Sequence, residues 1–404
     1  MAVKATVGDY VTLQRGITYK GNLVGKPGPA LLGLGSIHPG GGFREGDYKT
    51  YGGECPPKLM LFPGDLFVSL KGATKDGKMI GSVARVPSSV ASGRLTQDTV
   101  KLQFRDPNRE AANFLYWILR TPQYRDYCDG RAMGSAVVAL SRDDFLAYPV
   151  PPATKMRLSV IELLEELDAK IELNRRMNST LEAIARALFQ SWFVDFDPVR
   201  AKLDGRPTAA IDPATAALFP DSFQETKVGH IPTGWQLGRL VDLCNLKRGH
   251  DLPTSTRTAG PIPVISSSGI SGTHSETSVR GPGVVTGRYG TIGKVFYVET
   301  DYWPLNTTLY VEDFKGNPPR FIFHALGEVD ISNYSDKAAV PGVNRNHLHE
   351  EPTVIPPMEV RQAFARAVGP IWAQHASNER QSRTVATLRD TLLPKLLSGE
   401  LSIN

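Results

Sequence analysis

Leu164-Glu-Glu-Leu167-Asp-Ala-Lys-Ile171-Glu-Leu-Asn174-Arg-Arg-Met-Asn178-Ser-Thr-Leu181 sets an apolar or amide residue at every third or fourth position, and the spacing runs on through Ala185, Leu188 and Trp192. Such a stripe marks a helix that packs along its length against another helix. Moving 204 residues on, from Leu164 to Val368, gives a second stripe of Val368, Ile371, His375, Asn378, Ser382, Val385, Arg389, Leu392 and Leu396. The polar interruption at Asn174 and Asn178 returns as Asn378 and Ser382. Two readings of it stand side by side: a solvated stretch, or a polar layer that fixes register and antiparallel orientation where two copies pack. Each stripe follows a proline pair, Pro151-Pro152 and Pro356-Pro357, which forces extended backbone just ahead of a first helical turn. The long runs that follow lack helix breakers, apart from Pro370 and Pro394 near the two ends of the second.

Outward from the helices the duplication continues, and a repeat has to be settled before any motif is interpreted. Val11-Thr-Leu-Gln-Arg-Gly16 has a partner in Val241-Asp-Leu-Cys-Asn-Leu-Lys-Arg-Gly249. Leu95-Thr-Gln-Asp-Thr-Val-Lys-Leu102 resembles Leu305-Asn-Thr-Thr-Leu-Tyr-Val311, Phe114-Leu-Tyr-Trp-Ile-Leu119 resembles Phe321-Ile-Phe-His-Ala-Leu326, and Leu140-Ser-Arg142 parallels Val343-Asn-Arg345. Ahead of each proline pair lie short β-rich runs broken by glycine and proline, such as Asp65-Leu-Phe-Val-Ser-Leu70 and Gly293-Lys-Val-Phe-Tyr-Val298. The predicted fold class is α+β: two α/β domains separated by two long antiparallel coiled-coil helices, with an internal pseudo-two-fold repeat. A helix of about 38 residues is roughly 57 Å long, so similar heads at opposite ends of an antiparallel pair would suit a bipartite DNA site with an unread middle.

Composition narrows the partners. The chain has 404 residues, 41% of them hydrophobic and 22% charged, which is ordinary for globular domains and enough for two or three cores. No apolar run of about 18 residues exists and the opening MAVKATVGDY has no signal-peptide core, so a cytoplasmic protein without membrane contact is expected. Cys55, Cys128 and Cys244 form no C-x-x-C pair and imply neither a disulfide framework nor a zinc knuckle. A formal charge of +5 and a pI near 9.0 fit a nucleic-acid partner. Residues 1–150 carry 19 Lys and Arg against 13 Asp and Glu, whereas residues 230–355 carry 11 against 12, so charge supports DNA binding for the first half only.

Several motifs are weighed and set aside. Gly72-Ala-Thr-Lys-Asp-Gly-Lys78 has the spacing of a phosphate-binding P-loop, but Met79 replaces the needed hydroxyl and a strand, not a helix, is expected next. Gly287-Arg-Tyr-Gly-Thr-Ile-Gly-Lys294 misses that spacing; it is either a tight turn or a glycine-rich loop bringing Arg288, Tyr289 and Lys294 to DNA. Asn317-Pro-Pro-Arg320 lacks the aromatic residue of a methyltransferase N-P-P motif, since Arg320 stands there, and is expected to be a turn before a helix. His347 and His349 have no carboxylates or cysteines at metal-ligand spacing and are expected to be surface or hydrogen-bonding residues; no metal and no catalytic residue is predicted.

Three motifs carry a family resemblance. Ala187-Leu-Phe-Gln-Ser-Trp-Phe-Val-Asp-Phe-Asp-Pro198 resembles the central conserved region of the specificity subunits of type I restriction-modification systems, and Thr391-Leu-Leu-Pro-Lys-Leu-Leu-Ser-Gly-Glu-Leu401 resembles the end of their distal one. His230-Ile-Pro-Thr-Gly-Trp-Gln-Leu237 resembles the usual entry into a second target-recognition domain, and the first domain has no such entry. The resemblance spans the chain and implies target-recognition domains over 1–150 and 230–355, helical spacers over 151–199 and 356–404, and a connector over 200–229. It also implies a non-catalytic subunit that binds double-stranded DNA and joins two modification subunits and the restriction subunits. S-adenosylmethionine and ATP would be bound by those partners, with no cofactor on this chain.

For DNA contact the corresponding loops offer Arg15 with Arg248, Lys71, Lys75 and Lys78 with Arg288, Tyr289 and Lys294, and Arg142 with Arg345. For helix pairing the stripe offers Leu164, Leu167, Ile171, Asn174, Asn178, Leu181 and Leu188 with Val368, Ile371, Asn378, Val385 and Leu392. Outward charges such as Glu162, Glu165, Arg175, Arg176 and Arg186 are either a solvated face or docking surface for modification subunits. A free-standing duplicated DNA-binding regulator is the alternative; it explains the repeat and the charge but not the closing motifs of the helices.

Overall fold

The two proline pairs are each followed by a long helix. In the computed structural model the first, Lys155–Phe193, starts shortly after Pro151-Pro152, and the second, Met358–Leu392, starts directly after Pro357. The second runs through Pro370 without ending; that ring is exposed and takes one N–H from the helix ladder. Every stripe position from Leu164 to Trp192 and from Val368 to Leu392 is buried or half-buried. The structure describes residues 5–46, 48–72, 77–134, 138–208, 211–334 and 342–395, so Leu396 lies outside it.

The chain divides into two units, Met1–Asn174 with Glu379–Asn404, and Arg175–Asn378. Both long helices therefore contribute to each unit, and the division falls on the polar residues Asn174 and Asn378. Within the first unit Asn174 donates to Gln381 Oε1 at 3.0 Å and to Ser382 Oγ at 3.2 Å. Within the second, Asn378 donates to Asn178 Oδ1 at 2.9 Å and Asn178 to the His375 carbonyl at 3.3 Å. With a repeat of 204 residues, Asn174 with Ser382 and Asn378 with Asn178 are the same pair of repeat positions.

Each unit builds a four-stranded antiparallel sheet. In the first unit the strands are β1 (Val11–Arg15), β2 (Leu66–Ser69), β3 (Val83–Arg85) and β4 (Thr99–Phe104), in the order β1-β4-β2-β3. In the second they are β5 (Asn245–Arg248), β6 (Gly283–Gly287), β7 (Val295–Val298) and β8 (Thr308–Asp313), in the equivalent order β5-β8-β6-β7. The inner strands β2 and β6 are buried at every position, which is why they read as continuous rather than alternating sequence. Smaller three-stranded sheets join parallel pairs, Ala30–Leu32 with Gly93–Leu95 and Ile262–Ser266 with Trp303–Pro304. A helix covers each domain: Arg109–Ile118, capped by the Asn108 side chain and burying Phe114 to Ile118, and Pro319–Glu328, burying Phe321, Ile322, His324 and Leu326.

The register corrects the repeat in detail. Arg15 pairs with Val100 and Arg248 with Leu309, so Val100 and Leu309 are equivalent and Leu102 matches Val311. Thr96 then corresponds to Leu305, one residue away from the match of leucines that the sequence suggests. Val11 likewise corresponds to Cys244, because Val241 belongs to a short helix, Leu240–Leu243, that matches Val7–Tyr10.

The motif at the end of the first long helix is a packing device. Phe189, Trp192, Phe193 and Phe196 join Phe219, Trp235, Phe321, Phe364 and Trp372 in one core. Trp235, from the Ile-Pro-Thr-Gly-Trp entry, lies 6.0 Å from Phe193 and 5.7 Å from Phe196 between ring centres. Aromatic rings at these separations gain attraction beyond area burial, and the arrangement fastens the second domain to the helices. In the Asn317-Pro-Pro-Arg320 turn, Asn317 is buried and donates to the Leu243 carbonyl at 2.7 Å, while the Arg320 guanidinium lies 4.2 Å from the Trp372 ring centre.

One surface expectation is overturned. Glu165 is not an outward docking charge: it takes two 2.7 Å hydrogen bonds from Arg85 of β3 and one of 2.5 Å from the Trp117 indole. Asp168, one turn on, holds Arg389 of the second helix at 2.6 Å and Arg120 at 3.7 Å. Outward helix positions face solvent only where no domain leans on them, and the first domain's sheet and helix lean on this segment. Glu162, Arg175, Arg176 and Arg186 are exposed.

Candidate nucleic-acid interface

In the first unit, strand β1 ends in Arg15-Gly16, and the Gly16 amide donates to the Thr99 carbonyl at 3.1 Å. A Cβ at Gly16 would lie 1.8 Å from the Thr96 carbonyl oxygen, so only glycine permits this approach of backbone to backbone. In the second unit Gly249 donates to Thr308 at 3.1 Å, and its Cβ would lie 2.2 Å from the Leu305 oxygen. The repeated Arg-Gly thus has one cause: glycine closes the strand end against the turn ahead of β4 or β8 and leaves the arginine exposed beside it.

The same sheet end gathers further candidates in each unit. The Leu140 amide donates to Leu70 O at 2.9 Å and Lys71 bridges Ala139; likewise the Val343 amide donates to Arg288 O at 2.9 Å and Tyr289 bridges Gly342. Those bonds bring the exposed Arg142 and Arg345, the first residues of Arg142–Leu146 and Arg345–His349, to the edge that holds Lys71 and Arg288. Ser141 and Asn344 cap those helices by accepting from Asp144 N and Asn346 N.

In the first unit Arg15 and Lys71 line an open cleft of about 470 Å³ with Gly16, Ile17, Thr18, Gln97 and Asp98. Lys71 stands 3.9 Å from Asp98, an exposed pair of little energetic weight. Beneath the loop, the fully buried Arg94 donates to Thr18 O at 3.1 Å and lies 4.8 Å from the Tyr51 ring centre. In the second unit Arg248 faces Asp251 at 3.5 Å, and Asp251 also accepts from Asn306. Arg288 lies 4.4 Å from the ring centre of Tyr289, which is 37% exposed.

Other candidates fall elsewhere. Lys78 is exposed but does not line the cleft; it lies in a turn followed by β3, with no helix of a P-loop. Lys75 lies outside the described residues. Lys294 is exposed at the far side of the β6–β7 turn, its carbonyl accepting from Thr286 Oγ1 at 2.9 Å. His347 is exposed, whereas His349 is buried and its Nε2 accepts from the Leu246 amide at 2.9 Å. Burial, with Arg345 and Lys315 nearby, lowers the His349 pKa. Gln97, Asp98, Asp251 and Asn306 belong to the site and were not singled out from sequence. The signal was present in the Gln-Asp-Thr and Asn-Thr-Thr segments but is visible only once the register aligns Gln97 with Asn306.

Among the described residues no group of three or more His, Cys, Asp or Glu is placed to hold a metal ion, and no helix is long and apolar enough to cross a membrane. Residues 232–383 match the family model described as type I restriction modification DNA specificity domain. The chain is 26% identical over 312 residues to the type I restriction enzyme HindI specificity subunit of Haemophilus influenzae, covering 62% of this chain and 68% of that protein. It is 22% identical over 317 residues to the MjaIX specificity subunit of Methanocaldococcus jannaschii, covering 72% and 69%. A solved S subunit from M. genitalium is 16% identical and covers 98% of this chain and 95% of that one at a TM-score of 0.47. Residues 232–383 thus match a type I restriction modification DNA specificity domain, and over 62–72% of its length the chain is similar to specificity subunits of type I restriction enzymes.

Proposed function

We propose that each unit reads one half of a bipartite double-stranded DNA target, and that the chain directs methylation or restriction by partner subunits without catalysing either. The observation that carries this reading is the repeated sheet end: an exposed arginine fixed by glycine, and a second arginine brought to the same edge by the bond from Leu140 or Val343. Arginine suits the task because it contacts phosphate and can also take the two acceptors of guanine. The second half has no net positive charge, so individually placed groups rather than bulk charge support its role. In this reading the complex acts in the cytoplasm; two modification subunits supply S-adenosylmethionine and methylate adenine, and restriction subunits supply the ATP-driven reaction.

The test is methyl transfer to duplex DNA by the purified chain, by purified modification subunits, and by the two together. Sequence-specific adenine methylation is expected only from the mixture. Methyl transfer by this chain alone would overturn the proposal.

A further inference from the structure

The turns ahead of β4 and β8 are built alike down to their hydrogen bonds. In Thr96-Gln-Asp-Thr99, the Thr99 amide and hydroxyl both return to the Thr96 carbonyl, at 3.2 Å each. In Leu305-Asn-Thr-Thr308, the Thr308 amide and hydroxyl return to the Leu305 carbonyl, at 2.9 and 2.7 Å. Thr99 and Thr308 are fully buried, so the threonine closes each turn and the residue after the first carbonyl is free of that work. In both units this residue bears a carboxamide: Gln97 and Asn306.

Gln97 is exposed, lines the cleft with Arg15 and Lys71, and its side chain has no hydrogen-bond partner among the described residues. Asn306 is half-buried and donates one amide hydrogen to Asp251, which also faces Arg248. That bond fixes which end of the amide is nitrogen and leaves Oδ1 and the second hydrogen available. One acceptor beside one donor is the complement of adenine in the major groove, whose N6 donates and N7 accepts.

We infer that Gln97 and Asn306 are specificity-determining residues, each reading an adenine in its own half of the DNA target from the turn beside the Arg-Gly strand end. The inference rests on the proposed reading that each unit recognises one half-site. It assigns base discrimination to the amides and leaves the neighbouring cations to anchor the backbone. Asp251 is a positioning residue that orients Asn306.

The test uses the full chain assembled with its modification subunits, selecting duplexes from a random-sequence pool. The wild-type complex is expected to enrich a two-part target with an A·T pair in each part. Gln97→Ala should flatten the preference at one A·T pair by roughly 5- to 150-fold, the range for losing a bidentate base contact, and leave the other half unchanged. Asn306→Ala should do the same in the other half only. Gln97→Glu, which keeps an acceptor and loses the donor, should move the preference at its position from adenine toward cytosine, whose N4 donates. This shift is one that a purely structural role for Gln97 would not produce, and the exposed position makes misfolding of the variant an unsuitable explanation for it. Unchanged preferences in both alanine variants, equal weakening of both halves, or relaxation at a pair other than A·T would overturn the inference while leaving half-site reading by the units intact. A wild-type complex that enriches no sequence would overturn both.

Discussion

Asn378 donates a 2.9 Å hydrogen bond from its side-chain nitrogen to Oδ1 of Asn178, in the polar interruption of the two helical stripes. Asn378 is 3% exposed, so neither amide can exchange this partner freely for water. A buried amide left without its partner costs about 1–3 kcal/mol, and apolar residues in its place would accept several registers. The pair therefore contributes most by making misregistered pairing expensive.

Asn178→Ala should lower stability by about 1–3 kcal/mol, because Asn378 loses its acceptor while remaining buried. The double substitution Asn178→Leu with Asn378→Leu should recover most of that loss. Urea unfolding of the full chain measures both, and a double variant as unstable as the single one would show that the pair does more than satisfy itself.

Glu165→Ala should destabilise the first unit by about 2–4 kcal/mol, since it strands Arg85 and removes the acceptor of the Trp117 indole. The side chains of Arg85 and Glu165 are only 22% and 21% exposed, so solvent screens the pair weakly. Adding Arg85→Ala should cost less than the sum of the single changes. Denaturation curves for the four proteins of this cycle give the coupling, and strict additivity would contradict a direct pair.

The second unit should lose stability in acid. His324 stacks on Phe189 at 5.7 Å, and burial, then the charges of Arg320 and Arg186, pull its pKa from 6.5 down to about 4. A base with a depressed folded pKa contributes stability that is fully present above its unfolded value and is lost as pH falls through the folded one. The window runs from about pH 6.5 to about pH 4, and the shift corresponds to roughly 3 kcal/mol. His349 acts in the same direction, since protonating Nε2 breaks its bond from Leu246. Thermal unfolding across this range should show the decline, and His324→Phe should make it shallower; an equal slope in that variant would count against His324 as the source.

Gly16→Ala and Gly249→Ala should each impair recognition of one half-site. The added methyl group meets a backbone oxygen rather than a flexible side chain, so the strand end, and the arginine before it, must move. Binding to duplexes altered in one half at a time should show each variant indifferent to changes in a single half. Equal loss of discrimination in both halves would show that the strand ends act together.

Arg15→Ala and Arg248→Ala should each reduce the slope of log affinity against log salt by about 1 if the side chain neutralises one phosphate. Affinities of the assembled complex between low and moderate salt give the slope. An unchanged slope with altered base preference would reassign the arginine to base reading.

Sequence by itself determined the two long helices, the duplication and the family resemblance, because those signals are local. A stripe at every third or fourth residue needs no distant partner, proline constrains the residue before it, and aromatic residues such as Phe189, Trp192 and Trp235 are crowded into short motifs. Arg15, Arg142, Arg248 and Arg345 were legible as candidates because each stands at a corresponding loop of the two halves, Arg15 and Arg248 directly before a glycine. Tertiary structure alone decided which groups meet. Lys71 and Gln97 share a cleft with Arg15 because strands distant in sequence pair in one register, and a shift of one residue changes which positions correspond. Glu165 has the sequence signature of a solvent-facing charge and is claimed instead by Arg85 and Trp117, which periodicity cannot foresee: it gives the face of a helix, while the domain that covers this face is chosen by packing.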